Sequence, residues 1–166
     1  MRHLFALMLV GVAVGFAACG AAPRSPGGPG APTPVTRLRT GPSSFTDFSG
    51  LREPQRLVVR EPSAWREVWA AIWRGYSPEP PVPEIDFGRE MLVVAALGER
   101  PTGGYNIFIE TAAEGPTGLV IQIRSVSPGP RCAMTQAFTQ PVDIARLPRR
   151  DGPVLFADRS EVSPCP

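Results

Sequence analysis

"MLVVAALG", residues 91–98, is the stretch that decides the fold. It is apolar from Met91 to Leu97, and no charged residue interrupts it. A continuous apolar run of this length, bounded by a glycine, is typical of a strand that is covered on both faces of its sheet. The run therefore predicts a strand without a solvent-exposed face.

Further strand patterns lie on both sides of this run. YNIFIET (105–111) follows it, and in LVIQIRSV (119–126) apolar residues alternate with Gln122 and Arg124, which is typical of a half-buried strand. The remaining candidates are RLVVRE (56–61), QAFTQPVDIARLP (136–148) and PVLFAD (153–158).

One segment, PSAWREVWAAIWRGY, predicts a helix that begins at Pro62, with Ser63 as a capping residue, and ends by Gly75. Its large apolar residues recur at the spacing of one helix face: Trp65, Val68, Trp69 and Ile72. We expect this stripe to be core rather than a ligand surface. Together the patterns predict an α+β, mainly β fold, an antiparallel sheet (sandwich or open barrel) of five or six strands with one packed helix.

The N-terminus predicts export. A short positive start is followed by LFALMLVGVAVGF (4–16), which is shorter than the roughly 20 apolar residues that a permanent membrane-spanning helix needs. Phe16-Ala17-Ala18-Cys19 resembles the lipobox of bacterial lipoproteins, in which the cysteine becomes the lipidated N-terminus. We therefore expect residues 1–18 to be a signal peptide and Cys19 to anchor the protein in the bacterial cell envelope. The alternative is an ordinary secretory signal that is cleaved nearby.

Composition divides the rest of the chain into a tether and a domain. Residues 19–50 are rich in Pro, Gly, Ser and Thr and lack hydrophobic periodicity, which predicts a flexible tether. The domain then spans residues 51–166. It contains Cys132 and Cys165, and because an oxidising compartment favours pairing, we predict a disulfide that ties the C-terminal tail to the domain.

The residue inventory argues against several classes of function. His3 lies in the predicted signal, and all 17 basic residues are arginine, so Ser–His, Cys–His and lysine-based mechanisms are excluded. The sequence shows no metal-ligand or cofactor-binding motif and no dense basic cluster for nucleic acid, so we expect neither metal, cofactor nor nucleic acid. We predict that the protein is not an enzyme, with a hydrolase based on two carboxylates as the remaining catalytic alternative.

Four motifs follow one another in a fixed order through the predicted domain: SAWREVWAAIW, IDFGREMLVVAALGERPTGGYNI (85–107), SPGPRCAMTQAFTQP (127–141) and IARLPRRDGPVLF (144–156). Through them the chain resembles, from Leu57 to Asp158, the C-terminal domain of the protease complex subunit PrcB family. Members of this family are typically exported, often as lipoproteins, and the founding member accompanies a surface subtilisin-like protease. The resemblance implies a non-catalytic subunit that binds another envelope protein, with a protease as the candidate partner.

The segment GERPTGGY (98–105) carries the candidate contact loop. Two glycines suffice for a hairpin turn, so the preceding Pro-Thr is not needed for turning alone. PTGGY is also similar to the NPTTGY-type loop of the chagasin family, in which a turn between strands is inserted into the cleft of a cysteine protease. We expect partner contacts at these residues: Arg100, Pro101, Thr102, Gly103, Gly104, Tyr105, Arg131, Gln136 and Gln140.

Two alternatives remain open for this loop. It is either a rigid turn whose Tyr105 packs on the sheet or a surface that contacts another protein. In the second case, the protein is either a lipid-anchored binding subunit or a protease inhibitor that acts through residues 100–105.

Overall fold

The chain folds into two four-stranded sheets and one helix. The computed structural model describes residues 30, 32–38 and 47–165. In chain order the elements are β1 Pro32–Thr33, β2 Thr36–Arg37, β3 Gln55–Val59, α1 Pro62–Ile72, β4 Glu90–Ala96, β5 Asn106–Gly115, β6 Gly118–Pro128, β7 Val142–Pro148 and β8 Val154–Ser163.

The molecule has three layers. The central sheet has the order β2-β7-β4-β3 and the outer sheet has the order β1-β5-β6-β8. All pairings are antiparallel except that of β6 with β8, which is parallel. Helix α1 packs on the face of the central sheet that is turned away from the outer sheet. The prediction of a mainly β fold with one packed helix is confirmed, and the architecture is a sandwich with two more short strands than expected.

Strand β4 is an inner strand of the central layer and is covered on both faces, as the apolar run predicted. Its residues divide between two clusters, Leu92, Val94 and Ala96 towards α1 and Met91, Val93 and Ala95 towards the outer sheet. All six are fully buried. Since successive side chains of a strand point to opposite faces, this double burial requires an apolar residue at every position.

Helix α1 contributes its tryptophans to the core. Trp65 and Trp69 are buried, and their indole N–H groups donate to the main-chain oxygens of Pro83 (3.0 Å) and Pro80 (2.9 Å). The proline-rich connection between α1 and β4 therefore accepts the polar ends of the tryptophans, which removes the cost of burying them. No side chain caps the helix N-terminus, so Ser63 does not have the capping role predicted for it.

Residues before the predicted domain boundary at residue 51 also take part in the fold. Residues 32–38 form β1 and β2, which pair with β5 and β7, and Leu38 is buried in the core under α1. Residues 47–50 also belong to the domain, where the Ser49 hydroxyl donates to the carbonyl oxygen of Gln140 at 2.8 Å. Prolines obscured these strands in the sequence, but a two-residue edge strand tolerates proline because its missing N–H can face outward.

The predicted signal peptide, Cys19 and most of the predicted tether lie outside the described residues. Within residues 30, 32–38 and 47–165, no helix is both long enough and apolar enough to cross a bilayer.

The role of residues 32–38 can be tested by truncation. A chain that begins at Leu51 loses β1, β2 and the buried Leu38 side chain, so we expect its free energy of unfolding to fall by at least about 2 kcal/mol, the lower end of the cost of removing a buried leucine. A chain that begins at Gly30 serves as the control and should keep full stability. Urea denaturation measures the difference, and equal midpoints would show that this segment does not stabilise the domain.

Candidate functional site

The segment GERPTGGY does not close a hairpin. It connects β4 of the central sheet to β5 of the outer sheet, and these strands do not pair with each other. Because packed sheets lie about 10 Å apart, a two-residue turn is too short for this crossing. The Arg-Pro-Thr prefix is therefore part of the connection between the two layers, which the hairpin interpretation missed.

This connection is held against a second segment of the chain. Arg100 N–H donates to Thr139 O at 2.8 Å, and Thr139 N–H donates back to Arg100 O at 3.0 Å. Gly103 N–H donates to Thr135 O at 3.0 Å, and the Thr139 hydroxyl donates to Thr102 O at 2.9 Å. We call residues 99–104 and 135–140 the loop platform. Its four hydrogen bonds fix both segments as one surface.

Gln140 extends the loop platform to a third segment. Its N–H donates to Asp47 O at 2.7 Å, and its carbonyl accepts from Ser49 N–H at 3.2 Å. Its side-chain amide donates to Glu99 Oε2 at 3.0 Å. Gln140 is thus a bridging residue whose hydrogen bonds join the three segments.

Gly104 is required by the geometry of the loop platform. Its φ is +84°, a conformation that side chains other than glycine rarely adopt. A Cβ at this position would also lie 2.3 Å from Met134 Sδ. Replacing Gly104 would therefore strain the loop itself, and changes at this position do not test binding alone.

Arg100 and Tyr105 support the loop from within. The Arg100 guanidinium donates to Leu97 O at 2.7 Å and lies 5.8 Å from the centroid of the Tyr105 ring. Tyr105 itself is half-buried against the core between the sheets. The tyrosine packing expected of a rigid turn is therefore present, and at the loop tip Pro101 and Gly104 are exposed.

Two exposed phenylalanines near the loop were missed in the sequence. Phe138 belongs to the loop platform and is 64% exposed, and Phe48, which is 49% exposed, forms a bridge with Gln140. The sequence pattern predicts a strand over residues 136–148 that includes Phe138, although Phe138 lies between polar residues in QAFTQ, and the predicted tether includes Phe48. Aromatic residues in segments that are otherwise polar were the available signal.

The structure brings Gln136 and Gln140 to the loop, as proposed, but places Arg131 elsewhere. The side-chain amide of Gln136 donates to Met134 O at 3.1 Å, next to the Thr135 contact. Arg131 instead lines a shallow depression of about 440 Å³ together with Val162 and Cys165.

Cys132 and Cys165 form the predicted disulfide. Next to it, Gly129 N–H donates to Ser163 O at 2.9 Å. The bridge fixes the segment that leads into Thr135 to the end of β8. It therefore supports one side of the loop platform as well as the C-terminal tail.

A buried carboxylate lies behind this region, on β7. Asp143 Oδ2 accepts from Ile109 N–H at 2.7 Å and lies 3.2 Å from Arg37 Nε, while Oδ1 has no hydrogen-bond partner among the described residues. Burial raises the pKa of Asp143, and it outweighs the opposing effects of Ile109 N–H and the Arg37 guanidinium. Asp143 thus connects β2, β5 and β7 inside the sandwich.

Other carboxylates that a two-carboxylate hydrolase could use are mostly engaged with arginine. Arg124 Nε donates to Glu110 Oε1 at 2.5 Å, and Arg159 Nη2 lies 2.8 Å from Glu110 Oε2. Burial raises the pKa of Glu110, but the hydrogen bonds from the two arginines outweigh it, so this pKa is lowered. Arginine also lies within salt-bridge distance of these residues: Asp86, Glu90 and Glu99.

A groove of about 810 Å³ adjoins the loop platform. Its lining includes Phe48, Tyr76 and Gln140, and the Tyr76 hydroxyl donates to Phe48 O at 2.7 Å. Among the residues that the structure describes, no group of three His, Cys, Asp or Glu side chains is placed to hold a metal ion. The loop platform and this groove together form the candidate site.

Residues 91–148 match the family model described as PrcB C-terminal. Over this segment the chain is similar to the PrcB C-terminal domain. The matched segment runs from β4 to β7 and includes all of the loop platform, and the family resemblance seen in the sequence is confirmed over these residues. Comparisons with curated proteins and with solved structures gave no match.

The buried carboxylate of Asp143 gives a prediction for stability. Asp143→Ala leaves the buried Ile109 N–H without its acceptor, so we expect the free energy of unfolding to fall by about 1–3 kcal/mol. Chemical denaturation at neutral pH measures this loss. Unchanged stability would mean that Ile109 N–H finds another acceptor.

Asp143 also predicts a pH dependence. Its pKa in the folded protein is raised above the ordinary 3.8. Between pH 3.8 and this folded-state pKa, the folded protein binds the proton more readily than the unfolded chain does. Its contribution to the free energy of unfolding therefore increases as the pH falls from the folded-state pKa towards 3.8 and is lost above that pKa. Stability measured across this range should shift in favour of the wild type relative to Asp143→Asn as the pH falls. An opposite shift would show that the carboxylate is held ionised.

The disulfide gives a third prediction for the same domain. The Cys132→Ser/Cys165→Ser variant should lose about 2–4 kcal/mol of stability, the usual effect of opening a loop of this length. Thermal unfolding under non-reducing conditions measures the loss. Adding a reductant should then destabilise the wild type and leave the variant unchanged, and any further loss in the variant would point to a cause other than the bridge.

Proposed function

We propose that this chain is a non-catalytic, lipid-anchored envelope protein whose domain binds a protease through the loop platform. The observation that carries the proposal is the exposure of Phe138. It is 64% exposed on a segment that is fixed by hydrogen bonds on both sides. Lipid anchorage rests on the sequence Phe16-Ala17-Ala18-Cys19.

The position of Phe138 is that of a contact residue. An aromatic ring held in water by a rigid main chain contributes little to folding, whereas transfer of its apolar surface to a partner is favourable. Aromatic side chains are also enriched among the residues that dominate the energetics of protein interfaces. Because the main chain around Phe138 is already fixed, this segment loses little conformational entropy when a partner binds.

The surroundings of Phe138 favour a protein partner. Pro101 and Gly104 are exposed at the adjacent loop tip, and the groove lined by Phe48 and Tyr76 continues from Gln140. The exposed Phe138 side chain and the adjacent groove together give a partner both a protruding and a concave surface to contact. Specific protein–protein interfaces combine such a central apolar contact with a polar rim, and Gln136, exposed beside the loop, fits the rim.

The identity of the partner rests on the family. The PrcB C-terminal match covers the whole loop platform, and the PrcB resemblance implies association with a subtilisin-like protease. The absence of His and Lys after the predicted signal, and the ion pairs of the candidate carboxylates, favour a binding role over a catalytic one. Arginine-paired carboxylates are poor candidates for a general acid, which needs a raised pKa.

The inhibitor alternative has less support. Insertion into a protease cleft needs a projecting loop, but Thr102 O and Gly103 N–H are both bonded to the neighbouring segment. Residues 100–105 therefore lie against the domain along residues 135–139. We favour a subunit that contacts the protease at its surface.

Substitution of Phe138 tests the proposal. Residues 20–166 are immobilised and exposed to an envelope extract of the source bacterium, treated with a fluorophosphonate probe that labels active serine proteases. We expect the wild type to retain a labelled subtilisin-like protease and Phe138→Ser to retain about tenfold less, because loss of an interface hot spot costs more than 1 kcal/mol. Labelled bands are identified by mass spectrometry.

Leu155→Ser provides the matched control. Leu155 is another exposed apolar residue, 43% exposed on β8 of the outer sheet, so its loss reduces surface hydrophobicity without touching the loop platform. It should retain the protease like the wild type. Equal retention by all three proteins, or retention of no serine protease by the wild type, would contradict the proposal. Inhibition of the retained protease towards a peptide substrate would instead favour the inhibitor alternative.

A further inference from the structure

Strand β8 forms a long open edge of the outer sheet. It runs from Val154 to Ser163 and pairs with β6 without a register shift. In the described part of the chain, no second strand pairs with it. An edge strand of this length without an internal proline or bulge is a template for another strand.

The main-chain groups of β8 alternate in direction. Pro153 O accepts from Leu119 N–H at 3.0 Å, and Ser163 O accepts from Gly129 N–H at 2.9 Å, so odd-numbered residues of β8 face β6. The N–H and C=O groups of the residues between them point away from β6. These residues are Val154, Phe156, Asp158, Ser160 and Val162.

We propose that β8 pairs antiparallel with β8 of a second copy of this chain, so that two outer sheets become one continuous sheet. Antiparallel pairing of identical edges gives a closed twofold dimer, the commonest symmetry of soluble oligomers. Directly opposed residues of an antiparallel pair have their side chains on the same face of the sheet. The twofold axis must therefore pass midway between the two copies of one β8 residue, and we name the register by that residue. This proposal is independent of protease binding.

Charge selects the register. An axis through Asp158, Arg159 or Glu161 would place that residue opposite itself, and like charges directly opposite are destabilising. An axis through Ser160 places Arg159 of each chain opposite Glu161 of the other. The register centred on Ser160 is therefore complementary in charge.

The same register also suits the main chain. The outward-facing Asp158, Ser160 and Val162 then lie opposite Val162, Ser160 and Asp158 of the second copy, and each opposed pair exchanges two backbone hydrogen bonds. Arg159 and Glu161 fall at the non-hydrogen-bonded positions between them, where side chains are closest. Pro164 ends the overlap because it has no N–H to donate.

The side chains at this edge are suited to such a pairing. Within its own chain, Glu161 makes only long ion pairs: Oε2 lies 3.7 Å from both Arg124 Nη1 and Arg159 Nη1. Its carboxylate can therefore accept a closer contact from the arginine of a second chain. Val162 is 62% exposed, and the second strand would cover it. Strand β1 lies at the opposite edge of the outer sheet, so the chain reaches the domain away from β8.

The first test is the mass of residues 20–166 in solution. Sedimentation equilibrium should show a rise from the mass of one chain to that of two with increasing concentration. Ser160→Pro removes the N–H at the axis but no bond to β6, and it should shift this transition to higher concentration at least tenfold, with its circular dichroism unchanged. A one-chain mass for the wild type at every concentration, or a dimer that Ser160→Pro leaves intact, would overturn the proposal.

The second test uses a cysteine at the axis and does not depend on the folding of the proline variant. Opposed residues of a hydrogen-bonded pair have Cα atoms about 5.5 Å apart, a separation that suits a disulfide. Under mild oxidation, Ser160→Cys should crosslink two chains through residue 160. Ala157→Cys is the matched control, because it lies opposite Ser163 and not opposite itself. Failure of Ser160→Cys to crosslink, or equal crosslinking of both variants, would overturn the register.

Discussion

The burial of β4 on both faces is the constraint on which the rest of the structure depends. With α1 on one side and the outer sheet on the other, this strand contributes to both apolar clusters, so neither layer can be removed without exposing half of it. The two strands that pair with β4 complete its burial at the edges. Strand β7 pairs along its whole length and β3 covers the other edge. The chain must then leave the central sheet and cross to the outer one, and that crossing creates the loop platform.

The candidate site shows a division between support and contact. Arg100 and Tyr105 support the loop from the side of the core, and hydrogen bonds of Thr139 and Gln140 join it to the neighbouring segments. Phe138 and Pro101 are left exposed on the fixed surface. A surface ordered in this way loses little conformational entropy on binding. The Cys132–Cys165 bridge extends the same support to the C-terminal end of β8.

Electrostatics in this protein depend on arginine, since no lysine is present. Glu110 is held by Arg124 and Arg159 at the surface of the outer sheet, whereas Asp143 is buried and only partly compensated by Arg37. The two carboxylates consequently have pKa shifts in opposite directions. Both occupy structural positions: Glu110 lies at the register shift of β5, and Asp143 accepts from the main chain just before it.

The sequence by itself determined the elements whose pattern is local: the apolar run of β4, the tryptophan face of α1 and the strands on either side of them. It also indicated the disulfide and the PrcB resemblance, because residue types and their order carry both. Only the tertiary structure decided that residues 32–38 belong to the sheets, that the loop crosses between layers and that Phe138 is exposed beside it. These features depend on contacts between residues far apart in the chain, such as Thr36 with Arg146 and Arg100 with Thr139, and no local periodicity records such contacts.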